Sequence, residues 1–200
     1  MRPKYYCQVT LLLISAFTMA LPALAGEPTE QLKETTDKII AIVSDPALKE
    51  SERSEEKKEL LRNVVDERFD WEEMTRRSLA RHWSKRTDEE KREFIALYAQ
   101  LLERTYMDRV EGYSGEQVAY EGERVEGDYA IVKVRITTPK DTEIPVKYRV
   151  RKKEDKWLVY DVYVEGVSLV NNYRVQFNNV ISRSSYEKLV KKLRAKVAEK

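Results

Sequence analysis

The sequence predicts an α+β domain: a curved antiparallel sheet of about four strands, with helices before and after it packed on one face. Three observations predict it. Apolar residues recur at helical spacing in the first half of the chain, the period switches to two after Tyr113-Ser114-Gly115, and helical spacing returns after Gly166. Consecutive strands with short turns give an antiparallel meander. Helices segregated to the two ends of the chain give an α+β arrangement instead of an alternating one.

Residues 1–25 stand outside that fold. Arg2 and Lys4 form a basic start, Val9 to Leu21 is almost entirely apolar, and Ala23-Leu24-Ala25 supplies the small-x-small pattern of a signal peptidase site. The run is shorter than the roughly 20 residues that span a bilayer. The sequence therefore predicts export, with cleavage after Ala25 leaving residues 26–200 as one domain. Cys7 precedes the apolar run, is not placed for lipid attachment, and leaves with the signal.

Glu30 to Val43 sets Leu32, Ile39, Ile40 and Val43 near one helix face, and Pro46 ends it. Ser54 to Phe69 repeats the pattern with Leu60, Leu61, Val64, Val65 and Phe69, on a charged background that reads as a solvated face. Trp71 to Trp83 is a shorter helical segment carrying Met74 and Leu79. Thr87 with Glu90 makes a capping box that opens the longest helix, to about Val110, with Phe94, Leu97, Tyr98, Leu101, Leu102 and Tyr106 as its apolar set.

Glu116 to Glu123 is a weak strand around Val118 and Tyr120, with Gly122 and Gly127-Asp128 marking reversals. Tyr129 to Thr138 alternates Ala130, Val132, Val134 and Ile136 with Lys133 and Arg135, and Ile144 to Arg151 alternates Val146, Tyr148 and Val150 with Lys147 and Arg149. The basic alternation implies that the outer sheet face meets solvent. Pro145 lacks a donor and belongs at its strand's start or on an edge. After the turn at Lys153 to Lys156, Trp157 to Val164 is apolar on both alternations, so it has something to cover on each face. That strand turns at Gly166 and enters a helix capped by Ser168, with Val170, Tyr173 and Phe177 on one stripe and Asn171, Asn172, Arg174 and Gln176 largely off it. A last helix runs from Ser185 to Val197. A long helix on a curved sheet of this kind makes a cone, a shape found in NTF2-like folds.

Composition excludes several function classes. The signal takes two of the 37 Lys and Arg and none of the 35 Asp and Glu, so the mature chain is formally neutral. An electrostatic nucleic-acid binder would show a basic excess. The single cysteine leaves with the signal, which removes disulfides and thiolate chemistry, and one histidine makes a transition-metal site improbable. His82 has no partnered nucleophile or carboxylate nearby in sequence, and no phosphate loop is present. Asp161, inside an apolar strand, is read as a structural acceptor or the partner of an arginine, and is the best candidate base for an enzyme reading.

The chain resembles the MlaC-type periplasmic phospholipid-binding proteins, the toluene-tolerance family. Asp161-Val162, Glu165 to Val170, Asn172 to Arg174 and Gln176-Phe177 match the family's strand-to-helix pattern after Trp157. Phe69-Asp70, Met74, Leu79, Phe94, Leu101-Leu102, Thr105-Tyr106 and Tyr113 follow in the family's order across the mature chain. A family glycine near Ser184 is missing, which puts the local geometry there in question.

The resemblance implies a non-enzymatic carrier with no cofactor, its cargo one phospholipid held by its acyl chains in a hydrophobic cavity between sheet and helices. It would travel the periplasm between an outer-membrane lipoprotein–porin complex and an inner-membrane ABC transporter with an MCE-domain subunit. Two acyl chains carry about 30 methylenes at about 0.8 kcal/mol each, so exposing them to water costs more than about 20 kcal/mol. The candidate lining on the sheet is Val132, Val134, Val146, Tyr148, Leu158, Tyr160 and Val162. From the helices it takes Leu101, Tyr106, Val170, Tyr173 and Phe177. Asn171, Asn172 and Arg174 are candidates for a rim that meets a headgroup phosphate or a partner protein. For any one of these residues ordinary core packing is the favoured reading, because amphipathic stripes usually mean packing, and the lining is expected of the set. The rival class is an NTF2-like exported isomerase or dehydratase acting on a hydrophobic small molecule, and the shortage of polar residues among the lining set speaks against it.

Overall fold

The helix starts marked in the sequence are formed by hydrogen bonds. The Glu90 N–H donates to Thr87 Oγ1 (3.2 Å) and the Thr87 N–H donates to Glu90 Oε2 (2.8 Å), closing the capping box. Ser185 and Asp70 accept in the same way from the N–H groups of Lys188 (3.2 Å) and Glu73 (2.9 Å). The computed structural model describes residues 26–48 and 51–199, so the expected export signal lies outside the described residues.

Among the described residues six α-helices and five strands follow in the order α1 (Glu27–Ser44), α2 (Ser54–Arg68), α3 (Trp71–Leu79), α4 (Asp88–Glu111), β1 (Gln117–Glu126), β2 (Tyr129–Thr137), β3 (Glu143–Lys153), β4 (Lys156–Val164), β5 (Val167–Ser168), α5 (Leu169–Arg183) and α6 (Tyr186–Ala198). The expected α+β class stands. The sheet is an antiparallel meander in sequence order, with a two-residue fifth strand beyond the four expected. The helical segment expected over Trp71–Trp83 tightens to a 3-10 turn from Ala80.

Two sequence expectations change. Gly122 does not reverse the chain: β1 continues to Glu126, and Gly122 sits at φ +131 where the β1–β2 register shifts by one residue. A bulge of this kind uses the glycine's access to positive φ to bend the strand, which curves the sheet. Ser184 needs no glycine either, since its φ of −145 lies outside the left-handed region.

Alternation assigns one sheet face to Ala130, Val132, Val134, Val146, Val150, Val159 and Val162, and Leu32 of α1 packs on it. Helices α3 to α6 form a second core around Phe94, Tyr98, Tyr173, Phe177 and Tyr186. Phe69 packs against both cores and bridges to Val159 at the free edge of β4, so the chain passes from one core to the other around that edge. The expectation that the basic alternation faces solvent holds at Lys133 and Lys147, which are exposed. It fails at Arg149 and Arg151, which are drawn in beside α3 and Tyr160. Arg151 pairs with Asp70 (2.6 Å) and approaches Glu73 (3.5 Å), and both acids are buried.

Candidate functional site

A contiguous set of half-buried apolar residues lies at one end of the inner sheet face. Register lines up Val118, Ile136 and Ile144 as one row across three strands, and Tyr120, Val134, Val146 and Val164 as the next across four. Tyr148 pairs with Val132 on one side and Val162 on the other. The valines in the middle of this floor are buried, whereas Val118, Tyr120, Ile136, Ile144, Tyr148, Val164 and Leu169 are only half-buried. β-branched and aromatic side chains at alternate positions are what a pleated apolar wall requires.

Polar groups mark the edge of the floor. The Tyr120 hydroxyl donates to Thr36 Oγ1 of α1 (2.8 Å). Burial pushes the Tyr148 phenol up to about 12, and its hydroxyl makes no hydrogen bond among the described residues. A neutral phenol inside a greasy wall combines an apolar ring with one free donor.

The candidate lining set divides between the two cores. Val132, Val134, Val146, Tyr148 and Val162 belong to the sheet floor. Leu101, Tyr160, Val170, Tyr173 and Phe177 belong to the helical core, with Tyr106 packed against it half-buried. There Tyr98 meets Tyr173 at 5.2 Å and Phe177 at 5.5 Å between ring centroids, both edge-on, and Phe94 meets Phe177 at 5.4 Å. These rings spend their apolar surface on one another. Leu158 lies on the alternation opposite the floor, across from Arg151, and joins neither core. The floor also includes Val118, Ile136, Ile144, Val164 and Leu169, which are outside the candidate lining set.

Tyr160 changes side because of a bulge. Val150 pairs with Val159 and Arg149 with Asp161, leaving Tyr160 as the extra residue of β4. Its ring lies between Arg77 (4.3 Å) and Arg149 (5.4 Å) and edge-on to Tyr129 (5.9 Å).

Asp161 serves as a structural acceptor, each carboxylate oxygen taking one hydrogen bond. Oδ2 accepts from the Ser168 hydroxyl (2.7 Å) and Oδ1 from the Val170 N–H (3.1 Å), while Ser168 Oγ accepts from the Asn171 N–H (2.9 Å). The carboxylate thereby fixes the N-terminus of α5 to β4, where negative charge also complements the helix dipole. Asp161→Ala is expected to destabilise the fold by about 2 kcal/mol, because two buried donors lose their acceptor. Urea unfolding measures this, and a midpoint within error of the parent would contradict the assignment.

The rim candidates Asn171, Asn172 and Arg174 are exposed on α5. Arg174 donates to the Asn171 side chain and borders a surface depression away from the floor, lined by Leu79, Ala80, Arg81, His82, Val175 and Asn178. His82 Nε2 lies 3.1 Å from Asn178 Oδ1. Among the described residues no group of three His, Cys, Asp or Glu is placed to hold a metal ion, and no helix is long and apolar enough to cross a membrane.

Comparison with known proteins adds to this geometry. The family model described as MlaC protein matches residues 33–195. The intermembrane phospholipid transport system binding protein MlaC of Haemophilus influenzae is 19% identical over 202 residues, covering 98% of this chain and 94% of that protein. A solved structure, the phospholipid-binding protein of Ralstonia solanacearum in complex with a phospholipid, is 27% identical with a TM-score of 0.78, covering 86% of this chain and 98% of the other.

Proposed function

The chain belongs to the MlaC family, and from that membership we propose that it is a phospholipid carrier, not an enzyme, that holds acyl chains against the apolar floor of its sheet. It is exported by its N-terminal signal and works in the periplasm. It shuttles phospholipid between an outer-membrane lipoprotein–porin complex and an inner-membrane ABC transporter with an MCE-domain subunit.

The observation that carries this reading is the likeness, over most of the chain, to a protein seen with a phospholipid bound. The floor supports it physically. Its rows of Val, Ile and Tyr offer contact to hydrocarbon, and burying each methylene there contributes about 0.8 kcal/mol. Affinity of that kind leaves release to be assisted at a membrane complex, which is why a carrier needs docking partners.

Denaturing extraction of gently purified protein, followed by lipid mass spectrometry, tests the reading. About one phospholipid per chain is expected. Protein that carries none and takes none up from phosphatidylethanolamine–phosphatidylglycerol vesicles would sink it.

A further inference from the structure

We propose that the outer face of α5, together with Arg81 and His82, is a docking surface for an acidic protein partner, a refinement that rests on the carrier reading. Asp and Glu make up 35 of the 200 residues, yet none occurs between Glu165 and Glu187, a stretch that includes all of α5. The exposed side of α5 offers instead Asn171, Asn172, Arg174, Val175 and Asn179, and Val175 is 52% exposed.

Beside this face lies a depression of about 390 Å³ with Leu79, Ala80 and Val175 in its lining and Arg81, His82, Arg174 and Asn178 around them. Both arginines lack a carboxylate partner among the described residues. Arg81 donates to Asn178 Oδ1 (2.8 Å) and Arg174 to the Asn171 amide, so each guanidinium rests on a neutral oxygen. Elsewhere Arg76 and Arg77 of α3 pair with Glu73 and Arg92 of α4 with Glu89, whereas Arg104 and Arg109 of α4 rest on the Val197 carbonyl and the Tyr106 ring. One turn further along α5, a second depression is bordered by Arg183, Lys188 and Lys192, again with no carboxylate.

Uncompensated arginines around a small apolar patch, with acids excluded, are the composition of a protein interface. A concavity of this size takes one or two protruding side chains. A membrane surface fits less well. Insertion into lipid uses exposed Trp, Phe or Leu, and the large apolar residue exposed on this face is a valine. The acidic partner belongs to the membrane complexes with which the carrier exchanges lipid.

Co-sedimentation of the lipid-loaded protein with inner- and outer-membrane vesicles from the cells that make it provides the test. Three preparations are compared: intact vesicles, protease-shaved vesicles, and protein-free vesicles of the extracted lipids. The double variant Arg81→Glu, Arg174→Glu is expected to bind intact vesicles at least about tenfold more weakly, as is Val175→Asp, with high salt weakening the parent in the same direction. Lys133→Glu with Lys147→Glu, on the exposed sheet alternation, is expected to bind as the parent does. The proposal is overturned if the charge reversal leaves binding intact, if the sheet variant loses as much, if shaved or protein-free vesicles bind equally well, or if the parent binds neither membrane. Lipid content is measured on the same samples. A parent without lipid whose membrane binding is nevertheless lost on charge reversal would remove the carrier reading and keep the docking surface.

Discussion

Ile144→Trp is expected to lower phospholipid affinity on the order of fiftyfold while leaving the fold intact. Ile144 is half-buried at the open end of the floor and pairs with Ile136, so an indole has free surface to occupy there. Tryptophan suits a strand, which keeps the folding cost small. An indole at that point displaces about three methylenes of a bound chain at about 0.8 kcal/mol each, or about 2.4 kcal/mol of binding. Val132→Trp makes the contrast: Val132 is 0% exposed, and the larger ring is expected to destabilise the protein by about 1–3 kcal/mol through overpacking. Phospholipid per chain after purification and transfer from labelled vesicles give the measurement. Unchanged occupancy in Ile144→Trp, with an unchanged melting temperature, would remove the open end of the floor from the binding site.

Arg151→Ala is expected to destabilise the fold by about 3 kcal/mol, a drop of several degrees in melting temperature for a chain of this size. The guanidinium bonds Asp70 at 2.6 Å and approaches Glu73, and both carboxylates are nearly inaccessible to solvent. Asp70 caps α3 and its N–H donates to the Val159 carbonyl (2.8 Å), so losing the cation leaves a buried charge at the point where the helices meet β4. The same group carries an acid dependence. Burial opposes ionisation of Glu73, but hydrogen bonds from Arg76 and Arg77 outweigh it and hold its carboxyl below the ordinary value of 4.5. A carboxyl depressed in the folded state contributes stability above its ordinary value, and loses it as pH falls through the depressed one. Stability is therefore expected to decline below about pH 4.5, and less steeply in Glu73→Gln. Chemical denaturation at a series of pH values reads both effects, and equal acid slopes in the two proteins would refute the role given to Glu73.

Both predictions concern residues that the sequence displays but does not connect. Arg151 reads as one more basic residue on an outer alternation, and Glu73 as one more acid in a charged helix. Their burial follows from α3 swinging around the β4 edge at Phe69, a placement that involves residues about 80 positions apart. Asp161 was legible in part: a carboxylate in an apolar strand needs a partner, and Ser168, already marked as an N-cap, supplies one.

The sequence by itself determined the order of the helices and the four main strands, the caps at Thr87 and Ser168, the inner alternation of β2 and β3, and the family. These are local properties, set by periodicity and by hydrogen bonds that close within a few residues. Only the tertiary structure decided which apolar residues are left half-covered. Leu101, Tyr173 and Phe177 carry the same stripe signal as any wall residue, but the packing of α4 against α5 joins them to Tyr98 and Phe94. Val118 and Ile144 look like ordinary strand positions, and the curvature that follows the Gly122 bulge leaves them at the open end of the floor. Burial is a property of distant neighbours, and one-residue register shifts, at Gly122 and at Tyr160, decide which neighbours a side chain has.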